Sequence, residues 1–291
     1  MKKLLAAVVA TIALSANAFT ITGAGATFPY PVYAKWAEAY RAETGNTVNY
    51  QAIGSSGGIK QINKKTVDFG ASDVAVKDAD LKKRGQIQFP MVMGGVVLVV
   101  NLEGVKNNQI NLTVNQVADI FEGKITNWKQ LGQGLPDMLI TVAVRSDGSG
   151  TTGVFTQHLA NASESFKQNV RVGKKVTFGG NTMGGKGNAG VAAMVGQVKG
   201  SIGYVEFAFA KQNGLTTTRL NGVEPSAESF KSGDWVFTAE TFLITYPDGA
   251  NIKNVAEFVA WAYRNDKYAE ELDYVPLSDA KKAAALKTLG K

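Results

Sequence analysis

Apolar residues along this chain recur at two spacings, and their alternation predicts an α/β protein with mainly buried strands. Val32, Trp36 and Tyr40 share one face of a first helix that starts near Pro31, an early-helix position that proline favours. Residues 48–53 read as a strand, 57–65 as a helix carrying Ile59 and Ile62, and 68–73 as a short strand ending in a polar loop. The stretch 89–100 is the most continuously apolar segment of the body of the chain. Its 12 residues are too few to span a bilayer, and Gly94-Gly95 predicts a bend in a central strand. Thr113 and Gln116 form a capping box ahead of Val117, Ile120 and Phe121, with Gly123 as terminator. A strand over 139–144 leads into a polar loop. The glycine-rich stretch 179–190 precedes a helix faced by Val191, Met194, Val195 and Val198. Strands follow at 202–205 and 242–246, the second returning the chain to its first half. Val255, Phe258, Val259, Ala262 and Tyr263 then mark an amphipathic helix.

The N-terminus follows a different pattern. Lys2 and Lys3 precede an apolar run over 4–14, and Ala16-Asn17-Ala18 has the small-x-small form of a signal-peptidase site. Cleavage after Ala18 would leave 273 of the 291 residues and lower the net charge from +7 to +5, because Lys2 and Lys3 leave with the leader. The chain has no cysteine. It therefore has no disulfide, no thiolate chemistry and no lipid-modified cysteine to tether it, which fits a soluble periplasmic protein. Lysines and arginines occur singly or in short runs such as Lys64-Lys65, Lys82-Lys83-Arg84 and Lys281-Lys282, interleaved with acids. That is a solvated surface with a mild bias toward anions and does not form a nucleic-acid face.

Candidate chemistry gathers in three glycine- and hydroxyl-rich loops, each at an expected helix N-terminus. They are GAGATF at 23–28, GSSGG at 54–58 and RSDGSGT at 145–151. A helix N-terminus offers unpaired N–H groups and a partial positive charge to an oxyanion. Arg145 adds a planar charged fork that Asp147 can hold in place, and Ser149 and Thr151 add hydroxyls. Asp73 follows a strand in the same half. A carboxylate beside a bound anion repels it unless the ligand brings a proton, which phosphate does near neutral pH and sulfate does not. Two like charges about 3 Å apart at an effective dielectric of about 20 repel by roughly 5 kcal/mol.

Other motifs have plainer explanations. GSSGG also matches the G-x-S-x-G nucleophile elbow, which would make Ser56 and the sole histidine, His158, a hydrolase pair. His158, however, sits within an expected helix, where packing is the commoner role. Residues 180–186 nearly spell a phosphate-binding P-loop, but Gly187 stands where a Ser or Thr must bind magnesium. No Asp, Glu or His cluster has metal-ligand spacing. Trp36, Trp128, Trp235 and Trp261 are isolated and read as packing residues.

TGAGATFP at 22–29, GSSGG at 54–58, VDFGASD at 67–73, GGV at 94–96, DGSGT at 147–151, GKGN at 185–188 and IGYVE at 202–206 together resemble the periplasmic phosphate-binding proteins of high-affinity phosphate ABC transporters. The resemblance covers most of the chain beyond residue 18. It implies a two-domain, type II (Venus-flytrap) binding fold with two hinge crossovers, residues 19–97 and 245–291 forming one domain and 98–244 the other. It further implies a monomer that captures inorganic phosphate in the cleft and hands it to inner-membrane permease subunits, without catalysis, cofactor or metal. By the same resemblance Thr27 and Phe28 donate backbone N–H groups, Ser55 binds through hydroxyl and N–H, and Asp73 accepts the ligand proton. Arg145, held by Asp147, pairs with phosphate, and Ser149, Gly150 and Thr151 close the cage. Ala189 departs from the aspartate common in the family, and the region around 213–238 is shorter than in enteric relatives. A carrier of another oxyanion such as sulfate or molybdate on the same scaffold, and a secreted serine hydrolase, are the alternatives.

Overall fold

A computed structural model describes residues 18–291, so of the leader proposed at 1–18 only Ala18 lies within the described residues. The main sheet has nine strands, of which the short Thr216–Thr217 only flanks residues 99–100; the other eight are β1 (Thr20–Gly25), β2 (Thr47–Ala52), β3 (Phe69–Ser72), β4 (Ile87–Val100), β5 (Thr141–Arg145), β6 (Asn181–Gly185), β7 (Ser201–Glu206) and β8 (Thr238–Thr245). Their order across the sheet is β2-β1-β3-β8-β4-β7-β5-β6. The helices that matter most are α1 (Tyr30–Thr44), α2 (Ser55–Asn63), α3 (Val114–Glu122), α4 (Gly150–Ala162), α5 (Gly187–Gln197), α6 (Ile252–Arg264) and α7 (Asp279–Thr288). Mixed α/β architecture is as the periodicity predicts.

The pairing explains how one sheet serves two halves. β1 runs parallel to β2 and β3, and β5 runs parallel to β6 and β7. Between these parallel groups lie β4 and β8, antiparallel to each other. β4 is 14 residues long: Ile87 to Gly95 pair with β8, whereas Val96 to Val100 pair with β7. One strand thus passes from the first half into the second. Its second portion is the centre of the core, since Val96, Val97, Leu98, Val99 and Val100 are each no more than 2% exposed. Each such side chain contributes about 1.5–3 kcal/mol by burial.

Gly94 and Gly95 do not break this strand. They make room for rings: a methyl at Gly94 would lie about 3.0 Å from the ring of Phe28 and 3.1 Å from that of Tyr274, and one at Gly95 would overlap Phe230. The irregularity lies earlier in β4, where Met91 is skipped between the pairs Thr241–Val92 and Phe242–Pro90. Other departures are local. Residues 23–25, expected as loop, belong to β1, and α2 begins at Ser55, ahead of Gly57. Leu139 is 69% exposed and precedes β5. The expected capping box of α3 is present, with Gly123 in the left-handed conformation at its end.

At the junction of the halves, opposite Val96, sits Glu206, which is fully buried. Its Oε2 accepts the Ala208 N–H at 2.9 Å, capping the short helix Phe207–Gln212, while Oε1 has no hydrogen-bond partner among the described residues. Tyr274 lies beside it and donates its hydroxyl proton to the Phe28 carbonyl at 2.6 Å. Burial pushes the Glu206 carboxyl up to about 8, against the lowering influence of its hydrogen bonds. A raised carboxyl contributes stability that is complete below its unfolded value and declines as pH rises through about 8. Glu206→Gln is therefore expected to match the parent in thermal stability near pH 4, and to exceed it by a few kcal/mol at pH 9, on the order of the raised pKa. Equal melting curves at pH 9 would show that Glu206 ionises freely in the fold.

Candidate functional site

The two parallel groups run in opposite directions, but the carboxyl ends of their strands meet at the junction of the halves, and four helices begin there. α1 follows β1, α2 follows β2, α4 follows β5 and α5 follows β6. Such a crevice at the carboxyl ends of strands is where ligands bind in open α/β sheets. It brings together, from the first half, Thr27, Phe28, Ser55 and Asp73, and from the second, Arg145, Asp147, Ser149, Gly150 and Thr151.

Asp73 lies immediately after β3 and is 3% exposed. Its Oδ1 accepts the Thr241 hydroxyl from β8 at 3.1 Å, and its Oδ2 accepts the Thr151 hydroxyl from α4 at 3.3 Å. One carboxylate thus joins both halves. Burial raises it to about 6; the charge of Arg145, the two hydroxyls and the charge of Lys174 oppose that rise. Ser55, at the first position of α2, is also buried, and its Oγ accepts the Gly150 N–H at 3.0 Å. The Ser56 N–H donates to the Gly148 carbonyl at 3.0 Å. Glycines set this approach: a Cβ at Gly148 would overlap Ser56, and one at Gly150 would overlap Ser55 Oγ and lie 2.8 Å from Asp73 Oδ2.

Arg145, at the end of β5, donates to Asp147 in bidentate fashion, from Nε to Oδ1 at 2.8 Å and from Nη2 to Oδ2 at 2.6 Å. Its Nη1 turns to Thr151 Oγ1 at 3.4 Å. The pairing leaves one edge of the guanidinium facing the site. The Gly187 N–H adds a bond to Asp147 Oδ1 at 3.0 Å. Burial works to raise Asp147, but the bonds and charge of Arg145, with the Gly187 N–H, hold it below the usual carboxylate range. Ser149 caps α4, its Oγ accepting the Thr152 N–H at 3.1 Å. Its oxygen serves the helix as acceptor while the hydroxyl proton is left to donate, and the residue is fully buried.

Thr27 and Phe28 stand at the entry to α1. Thr27 Oγ1 accepts from the Asn188 backbone at 3.1 Å and from the Asn188 side-chain amide at 2.8 Å. Phe28 is fully buried, its carbonyl taken by Tyr274 and its ring edge-on to that of Tyr274. Every one of the nine sequence-derived residues lies at this junction. Sequence reasoning missed Thr241 and Asn188. Asn188 closes the GKGN segment, which was legible, whereas Thr241 lies in an ordinary strand sequence with no local signal. The decoys separate from the site: Ser56 is exposed, and His158 packs on Phe237 with ring centroids 5.6 Å apart. Burial lowers the His158 pKa, so it carries less charge than a free histidine.

A raised Asp73 has a stability consequence of the same sign as Glu206. Its contribution is complete below the unfolded value of 3.8 and is lost as pH rises through about 6. Ligand-free Asp73→Asn is expected to equal the parent at pH 4 and to be more stable by about 3 kcal/mol at pH 8. Parity across that range in denaturant titrations would mean the carboxylate costs nothing where it sits.

Residues 10–266 match the family model of the PBP superfamily domain. The phosphate-binding protein PstS of Pasteurella multocida is 45% identical, over 95% of this chain and 91% of its own. The protein of the same name from Haemophilus influenzae is 46% identical, over 90% of each. Among solved structures, an ABC-type phosphate transport receptor from Vibrio cholerae superposes with a TM-score of 0.63 at 23% identity, covering 88% of this chain and 99% of that one. A phosphate-binding protein from Stenotrophomonas maltophilia gives 0.72 at 19% identity, covering 92% and 93%. These two share the two-domain binding-protein fold. A chain with this sheet, this cleft edge and relatives this similar over almost its full length belongs to the PBP superfamily and, within it, to the PstS family of phosphate-binding proteins.

Proposed function

We propose that this protein captures inorganic phosphate between its two halves and delivers it to the membrane subunits of an ABC importer, binding without chemistry. The observation that carries this reading is Asp73: a buried carboxyl at the junction of both halves, close to an arginine whose charge is shared with Asp147. Such a site favours a tetrahedral anion that keeps a proton to give to Asp73. Thr27 and Phe28 at the start of α1, Ser55 at α2, and Ser149, Gly150 and Thr151 at α4 supply the donors, with Arg145 as the charged one. A ligand bonded to both halves stabilises their closed arrangement.

The closing units are residues 19–97 with 245–291 and residues 98–244. The pairing of β8 with β3 and β4 favours a second crossover somewhat earlier, before Thr238. Relatives named as phosphate-binding proteins and transport receptors support a periplasmic carrier rather than an enzyme. Export with cleavage after Ala18 completes the reading, and N-terminal sequencing of the secreted chain should begin at Phe19. We place the working unit as a monomer, which light scattering of the purified protein tests.

Calorimetric titration of phosphate-stripped protein tests the ligand. Saturable one-to-one binding of phosphate that survives a large excess of sulfate is the expected result. Displacement by sulfate would make the protein another oxyanion's carrier. Asp73→Asn is expected to narrow the phosphate-over-sulfate preference by at least about ten-fold, since removing a repulsion of several kcal/mol helps sulfate most. An unchanged preference would remove proton reading from Asp73.

A further inference from the structure

Arg145 and Asp147 neutralise one another in the site, and Asp73 adds a negative charge when ionised. A doubly charged ligand would then face a net negative surrounding unless another cation contributes. One residue outside the expected set meets that need. Lys174 lies in the loop after the short helix Glu164–Asn169, and two bonds fix that loop to α4. The Lys174 carbonyl accepts the Ser149 N–H at 2.8 Å, and the Gly173 N–H donates to Thr156 Oγ1 at 3.2 Å. Its stem runs past Gly153, where a Cβ would lie 3.5 Å from Lys174 Cγ. Its ammonium reaches across the cleft to Ser72 Oγ at 3.5 Å, next to Asp73 in sequence. A cavity of about 400 Å³ leads from solvent to Asp73 here, and Lys174 is its cationic wall. The residue is half-buried; burial lowers its pKa and the charge of Asp73 opposes that.

We infer that Lys174 is a specificity-determining residue of the anion site, supplying the uncompensated positive charge that lets the closed cleft hold doubly charged phosphate beside Asp73. This deepens the phosphate-carrier reading and rests on it. The titratable and charged groups facing Lys174 are Asp73 after β3, His158 on α4 and Glu240 on β8, with Arg145 beyond Asp73. Glu240 is engaged by Lys281. All of these act on the parent and on a Lys174 variant alike, so the difference between the two isolates the ammonium.

The test follows from Coulomb's law. An interaction with one fixed charge doubles in energy when the ligand charge doubles, so the fold-loss for the dianion is the square of that for the monoanion. Phosphate is titrated by calorimetry into parent, Lys174→Gln and Lys174→Arg, at low ionic strength to limit screening. The measurements are made at pH 5.5, where the monoanion dominates, and at pH 8.5, where the dianion does. For Lys174→Gln the expected loss is about 3-fold at pH 5.5 and about 10-fold at pH 8.5, a difference that shrinks in added salt; Lys174→Arg restores most of it. Equal losses at the two pH values, as a strap holding the halves together would give, overturn the inference, and so does no loss at either. Failure of the parent to bind phosphate at all would instead defeat the carrier reading, so the two failures are distinguishable.

Discussion

The structure turns on one buried carboxyl held between two halves of a sheet. Asp73 contacts Thr241 on β8 and Thr151 on α4, so its oxygens report on both sides of the cleft at once. A charged group in that position is costly, and the fold answers by raising its pKa to about 6 and not by seating a full counter-ion against it. The arginine beside it, Arg145, is paired in bidentate fashion with Asp147. Apart from the ammonium of Lys174 at its mouth, the site therefore has many donors and little net charge. Such a surrounding distinguishes anions by the protons they carry more than by their charge alone.

Everything around Asp73 serves that arrangement. The glycines at 148 and 150 let two helix N-termini approach within hydrogen-bonding distance of each other, which side chains would prevent. Strand β4 links the halves, buried throughout from Gly94 to Val100, with Thr241 of β8 beside it at the register shift. At the second half's end of that link Glu206 is held mostly uncharged, so the junction is not split by a buried ion. Tyr274 ties this region to the carbonyl of Phe28, at the entry to α1. Geometry at the hinge and geometry at the anion site are thus connected through this hydroxyl and through Asn188, which accepts the Glu206 N–H and donates to Thr27.

Much of this was legible in the sequence because helix starts have local chemistry. Gly-Ser-Gly before an apolar period, a capping box at Thr113 and an Arg-x-Asp turn each specify backbone positions from a few residues. β6 was not legible: its sequence Asn-Thr-Met-Gly-Gly is polar and exposed at the sheet edge, where neither alternation nor an apolar run arises. β1 was shortened for a similar reason, its glycines suggesting loop while in fact Gly23 and Gly25 make room for the ring of Phe69 and the backbone of Ala71. Thr241 and Lys174 escaped because their importance is purely tertiary. Thr241 meets Asp73 across 168 residues of sequence, and no spacing rule reaches that far. At the Gly94-Gly95 pair the spacing hid a second cause, since the rings of Phe28, Tyr274 and Phe230 also require small residues there.

The measurement that bears most directly on this account is neutron diffraction from crystals of the phosphate-bound protein, which locates protons. The account predicts a proton between an Asp73 carboxyl oxygen and an oxygen of the bound phosphate, with Thr151 and Arg145 donating to the other oxygens. A phosphate seated with no proton shared with Asp73, or with a cation interposed between them, would contradict it.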